Sequence, residues 1–116
     1  NNQQLAFANT IDCIINGATM LDATIYGIGR AAGNCPLELL LGFLKNPKFD
    51  LRPILDSISN YYLPLREKIE WGYIIPYAIA GMLNDHPKEA MAFRDSDKKD
   101  NYREFYENSL SQELAE

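Results

Sequence analysis

Long hydrophobic runs are missing from this chain. Its apolar stretches fall far short of the ~20 residues a membrane-spanning helix needs, so no membrane span is expected. An excess of positive charge is missing too: 11 Lys and Arg stand against 16 Asp and Glu, a net charge of −5. Duplex nucleic acid and anionic bilayer surfaces are held by clustered Lys and Arg, so neither is an expected partner. Cysteine is scarce. Cys13 and Cys35 lack CxxC spacing and read as reduced thiols of a cytoplasmic protein rather than as a disulfide or a metal pair. His86 is the one histidine. A single imidazole makes no metal cluster, and Asp85-His86-Pro87 reads as a surface turn or helix start. The chain has no internal repeat, no low-complexity tract, and neither GxGxxG nor GxxxxGK[ST], so the nucleotide-binding motifs do not apply. It opens on Asn1 with no initiator methionine and no targeting signal, and reads as though cut out of something longer.

What is present suits one globular domain at most. The chain has 116 residues, 47% of them hydrophobic, and a chain of that size buries roughly two-thirds of its unfolded surface. Leu5, Ala8, Ile11 and Ile15 recur at helical spacing and stop at Asn16-Gly17. Residues 19–25, apolar and β-branched between two glycines, predict one buried strand. Pro36 opens a short helix. Asp50 caps a helix that tolerates Pro53 in its first turn and ends or kinks at Pro64. Residues 70–85 look helical around Pro76, and a further helix starts near His86. "DSDKKD" is a solvated joint, and Tyr102, Phe105, Tyr106 and Leu110 share one side of a last helix. A lone buried strand has no partner for its backbone groups, and each unpaired buried group costs ~1–3 kcal/mol. Either that strand pairs with another copy, or its sheet lies elsewhere in a longer chain. Helix, strand, glycine loop, helix is the order of one unit of a parallel α/β protein.

The stretch "YGIGRAAGNCPLE", residues 26–38, concentrates the special residues. Gly27, Gly29 and Gly33 would let backbone approach a ligand closely, and Arg30 could clamp a carboxylate or phosphate. Asn34 could cap the next helix or offer its amide oxygen to a hard metal ion. A tight structural turn, with Asn34 as a cap and Arg30 in solvent, accounts for the same residues. Asp22 inside the apolar run needs a partner, such as Arg30, and is more simply structural than an acid or base. Tyr26 either points into a site or packs in the core. Trp71, Tyr73 and Tyr77 on one helix are ordinary core residues by spacing alone.

"DATIYGIGRAAGNCPLELLLGFL", with "NNQQLAFANTIDCIINGATMLD" before it, closely resembles the end of the catalytic barrel in the HMG-CoA lyase-like, metal-dependent aldolase superfamily, nearest to the 4-hydroxy-2-oxovalerate aldolases. The shared pattern is Gly27, Gly29, Gly33, Asn34, Pro36, Leu37 and Glu38. The resemblance is strong over residues 1–45 and weaker over 46–86. It implies that a metal-binding His-x-His precedes Asn1-Asn2 and that a metal-binding aspartate lies on a first strand far upstream. It also implies the fold class: mostly α as an isolated chain, with one main strand. Residues 1–45 would be the last quarter of a (β/α)8 barrel, and residues 46–116 a helical C-terminal extension.

By the same resemblance Asn34 lies at a divalent metal, Mn²⁺ or Mg²⁺. Gly27, Gly29, Arg30 and Gly33 face a 2-oxo acid substrate. Tyr77, in "GYIIPY", transfers a proton with Tyr73 as its neighbour; Pro76 departs from the family's pattern there. The family's loop cysteine sits elsewhere, so Cys35 is structural. The implied reaction is cleavage of a 4-hydroxy-2-oxo acid to pyruvate and an aldehyde. The partners are that substrate, the rest of the barrel and, in an oligomer, further copies. The isolated chain should be inactive and hold no metal tightly. Two alternatives stay open: an acyl-CoA condensing enzyme of the isopropylmalate synthase type, and a non-catalytic helical interaction module.

Overall fold

The computed structural model describes residues 3–115; Asn1 and Asn2, expected to follow a metal-binding motif, lie outside them. α1 (Ala6–Ile15) forms where the apolar spacing demands it. It stops as Asn16 turns its side-chain amide onto Asp12 O at 2.8 Å and Gly17 enters left-handed backbone. Residues 19–25, expected as the one main strand, do not form it. They run without regular structure to Thr24 and then enter a 3₁₀ turn, Ile25–Gly27. The sheet-like element here is one parallel bridge between Thr24 and Pro36. In it Thr24 N–H donates to Cys35 O at 3.0 Å, and Leu37 N–H donates to Thr24 O at 2.8 Å. The cause is pairing: a strand persists only where a neighbour takes its N–H and C=O groups, and no described segment presents such an edge. The fold is therefore mostly helical, with no sheet among the described residues.

α2 (Leu37–Leu44) starts directly after Pro36 and buries Leu40. The Asp50 carboxylate accepts the backbone N–H and the Nε–H of Arg52, both at 3.0 Å. These bonds hold its carboxyl below the usual aspartate range. α3 (Arg52–Ser57) carries Pro53 in its first turn, as expected. Pro64 does not end the helix. The path widens into a π turn (Ile58–Tyr62), in which Leu63 N–H donates to Ile58 O, and continues as α4 (Leu63–Arg66). A proline has no N–H and its ring crowds the carbonyl four residues back, and one wide turn accommodates both.

Pro76 is likewise not internal: α5 (Ile75–Met82) begins beside it, after an irregular stretch. α6 (Lys88–Arg94) and α7 (Tyr102–Ala115) pack against α5. Ala31 of the glycine loop joins Tyr77, Ile79, Ala80, Ala90 and Phe105 in one core cluster, with the Phe93 and Phe105 rings 4.7 Å apart. α7 turns Phe105 and Ser109 inward rather than Tyr106, which is exposed. Packing selected the 105/109 ridge, and the tyrosine beside it stays on the rim with its hydroxyl in water. Arg94 pairs with Glu70 and reaches Asp100 at 3.1 Å. The Arg94 hydrogen bond holds the Glu70 carboxyl below its ordinary value, and the same pair raises Arg94. The exposed "DSDKKD" joint is thus tied down at its end.

The chain makes a slab of 52 × 35 × 16 Å with a radius of gyration of 16.7 Å, against about 13 Å for a compact domain of similar length. A layer this thin cannot cover its own apolar side chains. Phe43 and Phe49 are each 55% exposed, and Met20 is 90% exposed. No helix among the described residues is long and apolar enough to cross a membrane.

Candidate functional site

The glycine loop is shaped first by contacts with itself. Tyr26 sits in left-handed backbone at φ 58°, and its N–H donates to Glu38 Oε2 at 2.9 Å. Asn34 N–H then donates to Gly27 O at 2.9 Å, folding the loop back on its start. Gly33 has φ +82°, and a Cβ there would overlap Gly27 O; a Cβ on Gly29 would overlap the Asn34 amide. These glycines therefore close the loop and seat Asn34. Gly33→Ala is expected to destabilise the fold by about 1–3 kcal/mol, the usual cost of a side chain in such backbone. The midpoint of urea unfolding would show it.

A second segment clasps the loop from above. Trp71, 1% exposed, donates its indole N–H to Tyr26 O at 2.9 Å and meets the Tyr26 ring edge-on at 6.0 Å. Gly72 N–H donates to Ala31 O at 3.0 Å. The Arg66 guanidinium lies over both rings, 5.3 Å from the Tyr26 centroid and 5.8 Å from that of Trp71. None of the ion pairs among the described residues involves Arg66. Beneath this stack opens a cavity of about 410 Å³, with Gln4, Asn34 and Tyr73 on its walls.

The expected site residues separate into groups. Gly27 and Asn34 line the cavity. Arg30 lines a neighbouring cleft of about 460 Å³ with Gly33, Asn34 and His86, so Asn34 stands at the boundary of the two. Gly29 acts on Asn34 from behind. Tyr77 is 5% exposed in the helical core; burial, then the charge of Glu70, pushes its phenol above the ordinary value. Tyr73, 64% exposed, is the tyrosine of "GYIIPY" on the cavity wall. Tyr26 does both things considered for it: it packs on Trp71 and borders the cavity.

Asp22 is exposed and forms no ion pair with Arg30, so its expected burial is corrected. The reason is the strand that did not form: without flanking strands nothing covers Asp22. Cys35 is buried, Cys13 is exposed, and both are free thiols. His86 accepts Lys88 N–H on Nδ1 at 3.1 Å, as a helix-start residue does. Arg66 carries no signal in sequence spacing, and Glu38, though part of the shared loop pattern, gives no sign of its bond to Tyr26 N–H beyond being an acid in the first turn of the helix after the loop.

A family model described as HMGL-like matches residues 1–60. The chain belongs to the HMGL-like family. Among curated relatives of this HMGL-like chain is a 4-hydroxy-2-oxovalerate aldolase of Thermus thermophilus. It is 34% identical over 90 residues, which is 67% of this chain and 26% of the relative. An oxaloacetate decarboxylase of Mycobacterium tuberculosis is 47% identical over 64 residues, 52% of this chain and 19% of that protein. The chain thus spans about a quarter or less of the length of these relatives. Among solved structures, the N-terminal domain of a proposed aldolase from Bacteroides vulgatus superposes with a TM-score of 0.64 at 35% identity. The match covers 88% of this chain and 35% of the other.

HMGL-like aldolases imply a divalent cation, and the donors present can be weighed against one. Asn34 donates its Nδ2–H to Ile28 O at 3.0 Å, which commits the nitrogen and leaves the hard amide oxygen as the unused end. That oxygen suits one position in the shell of Mn²⁺ or Mg²⁺. No group of three His, Cys, Asp or Glu side chains gathers among the described residues. Among the described residues, the donor that fits such a shell is this one amide oxygen.

Proposed function

We propose that this chain is the end of the catalytic barrel of a divalent-metal-dependent aldolase that cleaves a 4-hydroxy-2-oxo acid to pyruvate and an aldehyde. The observation that carries the reading is the HMGL-like loop itself: its glycines seat Asn34 with the amide oxygen unused at the edge of a cavity. Residues 1–45 are the barrel's last units and residues 46–116 a helical extension whose Trp71-Gly72 clasps the loop. The exposed apolar side chains and the solitary Thr24–Pro36 bridge support this assignment, because neighbouring barrel strands would cover the first and extend the second.

In this enzyme Asn34 Oδ1 would hold one position of a divalent ion, which when bound would supply Lewis-acid polarisation of a carbonyl. Arg30 contacts the substrate from the loop's outer edge. Gly27, Gly29 and Gly33 keep the loop narrow enough for substrate to reach Asn34. Tyr77, whose raised pKa keeps it protonated at neutral pH, donates a proton rather than removing one. The test is a cleavage assay on the enzyme carrying this segment. With Mn²⁺ and 4-hydroxy-2-oxovalerate it should release pyruvate; none released would refute the assignment. The 116-residue chain alone should release none and bind Mn²⁺ only weakly, since one amide oxygen is far from the six ligands such an ion takes. Micromolar Mn²⁺ affinity abolished by Asn34→Ala would show that the chain holds a complete shell.

A further inference from the structure

We propose that Arg66 is a carboxylate-binding residue, and that the cavity below it takes a small planar organic anion. The inference rests on the cavity's architecture and deepens the aldolase reading by naming where the acid group of a 2-oxo acid would sit.

A guanidinium seeks acceptors in its own plane. Arg66 lies over the Tyr26 and Trp71 rings, which stand perpendicular to each other, and it forms none of the ion pairs among the described residues. The carboxylates paired in this acidic chain are all engaged with other cations. The ring contacts restrain the side chain, and a guanidinium has more than one two-pronged donor edge, so one remains for a carboxylate at reduced entropic cost. Trp71 cannot drift, because its indole N–H is tied to Tyr26 O. The position is crowded on the other side as well: a Cβ on Gly72 would come to 3.2 Å from Arg66 Nη2.

The rest of the cavity suits the body of such a ligand. Phe7 and Leu39 supply apolar wall, while Gln4, Asn34 and Tyr73 supply polar atoms at the rim. About 410 Å³ is within the range of small-molecule sites and ample for a 2-oxo acid. A purely structural cation–π stack would satisfy the aromatic contacts but gives no preference for anionic over neutral ligands. That preference is the quantity to measure.

Trp71 is the sole tryptophan of the chain, so its emission reports on this cavity alone. The 116-residue chain is titrated with pyruvate and, separately, with pyruvamide, which has the same shape without the charge. A saturable change with pyruvate is expected, at least about tenfold weaker with pyruvamide, the scale of one lost charge-assisted bond. Arg66→Gln should weaken pyruvate binding by a similar factor, and Arg66→Lys, which keeps charge but not the planar fork, should fall between. Equal responses to the two ligands in the wild-type chain, or no saturable response to pyruvate, overturns the proposal without reliance on any variant. Unaltered pyruvate affinity in Arg66→Gln overturns it too. The outcomes separate from those of the cleavage assay. Arg66-dependent pyruvate binding in a protein that cleaves nothing leaves this site standing and the aldolase reading fallen. Cleavage by an enzyme whose Trp71 does not distinguish pyruvate from pyruvamide leaves the reverse.

Discussion

Trp71→Ala is expected to cost about 3–5 kcal/mol of folding stability, the range for emptying a buried aromatic site. Three terms act together. The indole is one of the largest fully buried side chains, so its removal leaves a void between the loop and the segment that clasps it. Tyr26 O loses its donor, and a carbonyl left unpaired carries a further penalty. Arg66 loses one of the two rings that restrain it. A marginally stable domain has only about 5–15 kcal/mol in all. A thin slab with so much apolar surface uncovered has less burial to draw on, so the variant should be largely unfolded at ambient temperature. Urea melts followed by far-UV circular dichroism would read this without the lost chromophore. Trp71→Phe, which refills much of the void but lacks the N–H, should lie between wild type and alanine. An unchanged midpoint for Trp71→Ala would mean that the clasp does not hold the loop.

That clasp also shows where the sequence stops being informative. α1, α2 and α7 are legible because periodic apolar residues and their stop signals act within a few residues of one another. The glycine loop is legible as special for the same reason. Trp71 and Tyr26 are 45 positions apart, and no local pattern says that one donates to the other's carbonyl. Arg66 is invisible for a related reason: a cation near the end of a helix is ordinary, and only its unplanned meeting with two rings gives it meaning. The strand expected at 19–25 is absent for a different reason. Its composition is that of a buried strand, but a strand is a property of a pair, and its expected neighbours are not among these residues. Pro64, expected to end or kink its helix, lies in a path that continues through a π turn, and Pro76, expected inside a helix, stands at the start of α5. What they do depends on whether the chain can widen a turn or start a helix there, which the backbone resolves over several residues.

The two tyrosines of "GYIIPY" pose the remaining question of the candidate site, and one pair of variants answers it. Tyr77→Phe in the enzyme carrying this segment is expected to lower kcat by at least about tenfold, within the contribution typical of a general acid. Its thermal stability should stay nearly unchanged, because the ring still packs among Ala31, Ile79, Ala80 and Phe105 and only the hydroxyl is lost. The phenol's raised pKa sets the sign. A group ionising above its ordinary range is protonated throughout the neutral region, so its role as donor persists there and fades only as pH rises through that elevated value. Wild type should accordingly lose activity on the alkaline side, and Tyr77→Phe should lack that limb. Tyr73→Phe should do much less by this reading. Tyr73, however, is the member of the pair that borders the cavity, and the opposite ranking of the two variants would transfer the proton to it. The core position of Tyr77 beside Ala31 would then be a brace for the loop, and Pro76, by starting α5 where it does, would be what turned that tyrosine inward.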